Sequence, residues 1–165
     1  MSTGAYVQFN GFQSQNLQEI ISQEILPTLE KRGILLSDYG NHASQRSLRD
    51  PIEYWKKKKV GQLGFNESCI QACAARINDL MTPAGRYMLD TSYGIKAVFE
   101  RYLAQVQGKS GYQYISNGDM IMALLIKGYR LRFTHHGEKQ VNPEVKAKYR
   151  DLNQIHLILN PHLRS

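Results

Sequence analysis

The sequence predicts an α+β fold: a predominantly helical single domain over residues 1–165, with a small sheet of C-terminal strands that N-terminal strands can join. Three observations carry this. Two stretches near the middle place apolar residues at helical spacing. A later stretch is apolar without a break between a capping signal and a glycine. Directly after that glycine the period changes from helix to strand.

In chain order, AYVQFNGF (5–12) alternates apolar and polar before a glycine and reads as a short strand. NLQEIISQEILPTLEKRG (16–33) reads as a helix capped by Asn16, with Glu19 as the reciprocal partner, a kink at Pro27 and a stop at Gly33. ILLS (34–37) is a candidate second strand, and residues 38–47 form a polar loop. DPIEYWKKKK (50–59) opens like a helix, with Asp50 as cap, Pro51 in the first position and Glu53 completing the box. Ile52 and Trp55, three apart, share its buried side.

The middle is the most regular part. Ile70, Cys73, Ala74, Ile77 and Met81 make one helical stripe over 66–81. Ile95, Val98, Phe99, Tyr102, Leu103 and Val106 make another over 91–107. TPAG (82–85) between them reads as a turn. Ser116 and Asp119 form a capping box ahead of seven apolar residues, Met120 to Ile126, so this helix lacks a solvent face and is the central one. Gly128 stops it. Tyr129, Leu131 and Phe133 then point one way, and Arg130 and Arg132 the other. NPEVKAKYRDL (142–152) starts like a short helix, with Asn142 as cap and Pro143 in the first position, and QIHLILN (154–160) reads as a final strand.

Hydrophobic residues make up 42% of the 165 and charged residues 21%, enough for one ordinary domain with a core. No stretch approaches the ~20 apolar residues of a membrane span. The first residues lack a signal-peptide pattern, so cytoplasm is the expected compartment. Cys69 and Cys73 are too few for a disulfide scaffold and, four apart on one helix, read as core residues rather than half a metal site. No pattern points to a cofactor.

The net charge of +7 is unevenly spread. Residues 1–40 carry −2, residues 41–60 carry +4, residues 61–108 balance, and residues 109–165 carry +5. Two positive blocks around a neutral middle suit an anionic partner, nucleic acid first and an acidic protein surface second. The first block holds Arg46, Arg49 and Lys56, Lys57, Lys58 and Lys59. Successive helical residues are ~100° apart, so four lysines in a row fan around the helix; in its last turn they also complement its dipole. The second block offers a sharper pair. A strand puts Arg130 and Arg132 on one face, ~6.6 Å apart, close to the spacing of successive phosphates. Lys127 precedes them, and His156 is expected on the adjoining strand.

Catalytic signals are weaker, and no catalytic residue or metal ligand is assigned. SNGD (116–119) is a cap rather than an anion loop, because Asp119 already supplies the negative group. PEVK (143–146) contains a Glu-x-Lys pair of the kind nuclease centres use, but in an expected helix. His135, His136, Asn153 and His162 follow one another in an order that resembles the HNH endonuclease pattern, over under a fifth of the chain. The resemblance implies a histidine base that activates water, an asparagine that orients it and a metal on the remaining histidine. The long gap before Asn153, and the few residues left after Pro161 for a terminal helix, depart from that pattern. The preferred reading is a non-enzymatic binding module, with an HNH-like nuclease and a protein-binding inhibitor or adaptor as alternatives. The ten tyrosines favour the adaptor, since tyrosine is enriched at interfaces.

Overall fold

The computed structural model describes residues 4–38, 40–41, 63–134 and 142–163. These form an α+β arrangement in the order β1 (Gly4–Val7), α1 (Leu17–Glu19), a π-helical segment (Ile20–Ile25), α2 (Leu26–Lys31), β2 (Leu36–Ser37), β3 (Gly40–Asn41), α3 (Glu67–Leu80), β4 (Met81–Thr91), α4 (Ser92–Val106), α5 (Asn117–Ile126), β5 (Arg130–Thr134), β6 (Glu144–Tyr149), α6 (Leu152–Leu159) and a 3₁₀ turn (Pro161–Leu163). No helix among them is long and apolar enough to cross a membrane.

Helix α5 is the centre. Ser116 Oγ accepts the Asp119 backbone N–H at its start, and Met120 to Leu125 are fully buried. Helices α3, α4 and strand β5 pack around it. Its first turn lies so close to the β2–β3 hairpin that a side chain at Gly118 would collide with the Ser37 carbonyl oxygen. Helix α3 starts at Asn66, whose Oδ1 accepts from Cys69 N, and buries Ile70, Cys73 and Ile77. Helix α4 starts at Thr91 and buries Ile95, Val98, Phe99 and Leu103. Both stripes follow the expected spacing, except that Met81 opens β4 instead of closing α3 and Val106 is exposed.

The main sheet is antiparallel, in the order β1–β5–β6–β4. Val7, Leu131, Phe133, Val145 and Ala147 line its inner face and join the apolar core. The N-terminal strand therefore completes the sheet that the C-terminal residues begin.

Several sequence expectations are corrected. TPAG is not a turn but part of β4. Pro83 is tolerated because β4 lies at the sheet edge, where a missing donor costs little. Residues 142–152 hold strand β6 rather than a helix: Val145 and Ala147 are buried while Lys146 and Lys148 face outward, and this period of two overrides the Asn-Pro start signal. Residues 154–159 belong to helix α6 rather than a strand, and Asn160 caps its C-terminal end. Asp151 caps it by accepting from Asn153 N and Gln154 N, and Ile155 and Ile158, three apart, are its buried side. Gly40 and Asn41, expected in a loop, pair with β2.

The first helix differs in detail. A wider π segment precedes Pro27, whose ring would clash with the carbonyl four residues back in a regular helix. Glu19 does not return to the Asn16 N–H. Ser14 Oγ accepts that N–H at 3.0 Å and itself donates to Glu19 Oε2 at 2.6 Å. Residues 50–59, with Trp55, lie outside the described residues.

Candidate nucleic-acid interface

Strand residues directly opposite in register share a face. Val7, Leu131 and Val145 point inward, so Tyr6, Arg130, Arg132, Glu144 and Lys146 point outward, and Lys148 lies on the same face two residues on. Tyr6 is 37% exposed. The Arg130 guanidinium carbon stands 4.1 Å from its ring centre and Lys146 Nζ 5.8 Å. On β4 the register shifts between Pro83 and Met88. Tyr87, within that shift, is 52% exposed, and Lys148 Nζ is 5.3 Å from its ring centre.

The cations on this face are not equivalent. Arg132 is held by Glu144 at 2.7 Å, and its Nε is buried with no acceptor among the described residues. That hydrogen bond raises the arginine's pKa further. Arg130, Lys146 and Lys148 make no ion pair with a described residue. A cleft of about 80 Å³ on this side of the sheet is lined by Gln8, Pro83, Ala84, Gly85, Arg130 and Lys146. That is the volume of two or three waters, far below a pocket for an organic ligand.

Arg130 and Arg132 thus share a face as expected, but only Arg130 is available to a partner. Lys127 is exposed at the C-terminal end of α5, one turn before the strand. His156 lies on α6 and not on an adjoining strand. Lys146 and Lys148, absent from the sequence-based set, replace it. The alternation in EVKAKY was the signal that could have found them. Tyr6 and Tyr87 were also missed. Arg46, Arg49 and Lys56 to Lys59 lie outside the described residues.

So do His135 and His136. Asn153 lies in the first turn of α6 and His162 in the 3₁₀ turn beyond its C-terminal end, both exposed. Glu144 and Lys146 do lie on a strand, where a Glu-x-Lys pair could work, but Glu144 is committed to Arg132. No cluster of three metal-ligating side chains occurs among the described residues.

A second tyrosine surface covers the N-terminal ends of α4 and α5. Lys96 Nζ lies 5.0 Å from the ring centre of Tyr93 and 5.6 Å from that of Tyr114, rings that are 56% and 66% exposed. Glu100 Oε1 accepts from Lys96 at 3.0 Å, and its Oε2 accepts from Ile115 N at 3.0 Å. Beneath, Ser92 Oγ donates to Asn117 Oδ1, and Asn117 Nδ2 donates to Asn142 Oδ1. Buried Asp119 accepts from Asn66 N at 3.0 Å, yet desolvation raises its pKa. Cys73 is fully buried and Cys69 half-buried against the core, as expected. Cys73 hydrogen-bonds Cys69, which lowers the Cys69 pKa and, with burial, raises its own.

No family model, curated protein or solved structure matches this chain.

Proposed function

We propose that the chain is a non-enzymatic binding module for nucleic acid, met through its phosphates on the outward face of the sheet. The observation that carries this reading is the company of Arg130, Lys146 and Lys148: three cations without a carboxylate partner among the described residues, set beside two exposed tyrosines on one face. A phosphate contact requires charge and reach, and each one releases counterions and steepens the salt dependence of binding. The positive charge of residues 109–165 supports the same reading.

A protein partner is the second reading, and one observation favours it. Tyr93 and Tyr114, both more than half exposed, flank a neutralised lysine, and Tyr112, two residues before Tyr114, is equally exposed, a composition common at protein interfaces.

Fluorescence anisotropy across a salt series, with labelled single- and double-stranded probes, tests the first. Replacing Arg130, Lys146 and Lys148 by alanine is expected to flatten log affinity against log salt by about 2 units for a single strand. Arg132→Ala alone should change the slope by less than Arg130→Ala, because Glu144 already occupies it. Absence of binding at ~50 mM salt and micromolar protein removes the nucleic-acid reading and leaves the protein partner ahead.

A further inference from the structure

We infer that the sheet face takes single-stranded nucleic acid, about three nucleotides laid across the β-strands, in preference to duplex; this rests on the nucleic-acid reading above. The two rings stand at opposite margins of the sheet, Tyr6 on β1 and Tyr87 on β4. Three strand spacings separate those margins, about 14 Å. An extended strand of about three nucleotides with its bases splayed covers a span of that order, carrying one base toward each margin.

The ground between the rings is cationic and narrow. Arg130 and Lys146 line the cleft, which is too small to enclose a nucleotide. Lys148 carries the positive charge on toward Tyr87. Aromatic rings at the ends and cations between them repeat the order of base, phosphate, base along one strand.

The rings also decide against a duplex. Paired bases are stacked on one another and offer only their edges, so neither tyrosine finds a π-face to meet. An unpaired base can stack on Tyr87, or on the Arg130 guanidinium that already lies against Tyr6. Glu144 helps to confine the path. Its pairing with Arg132 cancels that cation, so this end of β6 attracts a phosphate backbone little.

The test uses the full chain with labelled oligo-dT and oligo-U of two to eight nucleotides, a 20-base-pair duplex, and polyglutamate as a competing acidic polymer. Affinity is expected to climb steeply up to about three nucleotides and slowly beyond, with single strands preferred over duplex by about ten-fold. Tyr87→Ala is expected to weaken single-strand binding about five-fold or more and leave duplex binding unchanged, while Tyr87→Phe behaves as wild type. If Tyr87→Ala lowers the melting temperature, Tyr87→Leu keeps the bulk without the π-face, and photocrosslinking of 5-iodouridine oligonucleotides to the wild-type chain maps the contact directly. Crosslinks to Tyr6 or Tyr87 support the inference. Equal affinity for duplex and single strand, with Tyr87→Ala indistinguishable from wild type, overturns it and leaves nucleic-acid binding in place. Polyglutamate competing as well as oligo-dT, or no binding to any nucleic acid, overturns both.

Discussion

On the sheet, Lys148 lies 5.3 Å from the centre of Tyr87 and Lys146 5.8 Å from that of Tyr6; over α4, Lys96 lies 5.0 Å from Tyr93 and 5.6 Å from Tyr114. The lysine–ring geometry is nearly the same. The difference is a carboxylate. Glu100 stands 3.0 Å from Lys96, both side chains are 12% exposed, and the ammonium is neutralised where it sits. Lys146 and Lys148 have no such neighbour among the described residues, and the one glutamate on their face is occupied by Arg132. A lysine on a tyrosine is therefore not an anion site in itself. The local charge balance makes it one, because a phosphate gains little from a cation already paired at short range.

Both surfaces depend on α5, so the largest effect comes from breaking it. Leu124→Asp puts an unpaired charge where exposure is zero, and should cost about 5 kcal/mol or more and unfold the protein. Circular dichroism checks this; an unchanged melting temperature would show that α5 is not the common support.

A smaller change makes the two surfaces converge. Glu100→Gln keeps an oxygen for Ile115 N but leaves Lys96 without its counter-charge. The expected loss of stability is about 2 kcal/mol, by thermal melting. If charge balance is the distinction, the variant also gains a phosphate contact, and its salt slope for single strands steepens by about 0.7. An unaltered slope would mean that the tyrosine surface is closed to nucleic acid for reasons of shape.

The smallest effect concerns the buried carboxylate beneath the tyrosine surface. Desolvation, the largest cause, raises the pKa of Asp119 above its ordinary value near ~4, although hydrogen bonds from Asn66, Ser116 and Cys69 oppose this. The folded state then holds its proton longer than the unfolded chain does. Its contribution to stability is complete below the ordinary value and is lost as pH rises through the raised one. Wild-type melting temperature should fall relative to Asp119→Asn as pH is raised from ~4 toward neutrality. Parallel curves would show that Asn66 and Ser116 fully offset the desolvation.

Fold class, the three middle helices and the outward pairing of Arg130 with Arg132 were legible because each follows from local periodicity and capping. The errors cluster where proline speaks too loudly. Pro83 suggested a turn and Pro143 a helix start, yet both residues stand in or next to strands of the same sheet. Misreading 142–152 hid Lys146 and Lys148, two of the three cations that carry the candidate site. Nothing local announced Tyr6 and Tyr87, because their value lies in facing the same side from the two margins of the sheet.

The sequence by itself determined which segments bury a face: an apolar run such as Met120 to Ile126 has no other stable place, whatever surrounds it. It also determined where the charge is concentrated along the chain. Only the tertiary structure decided which charges remain available. Glu144 cancels Arg132 through strand pairing, and Glu100 cancels Lys96 one turn away, while Arg130, Lys146 and Lys148 are left to solvent. The physical reason is range. Backbone preference and burial are set by near neighbours in sequence, whereas the field at a binding face is a sum over neighbours in space, and strand register brings those together.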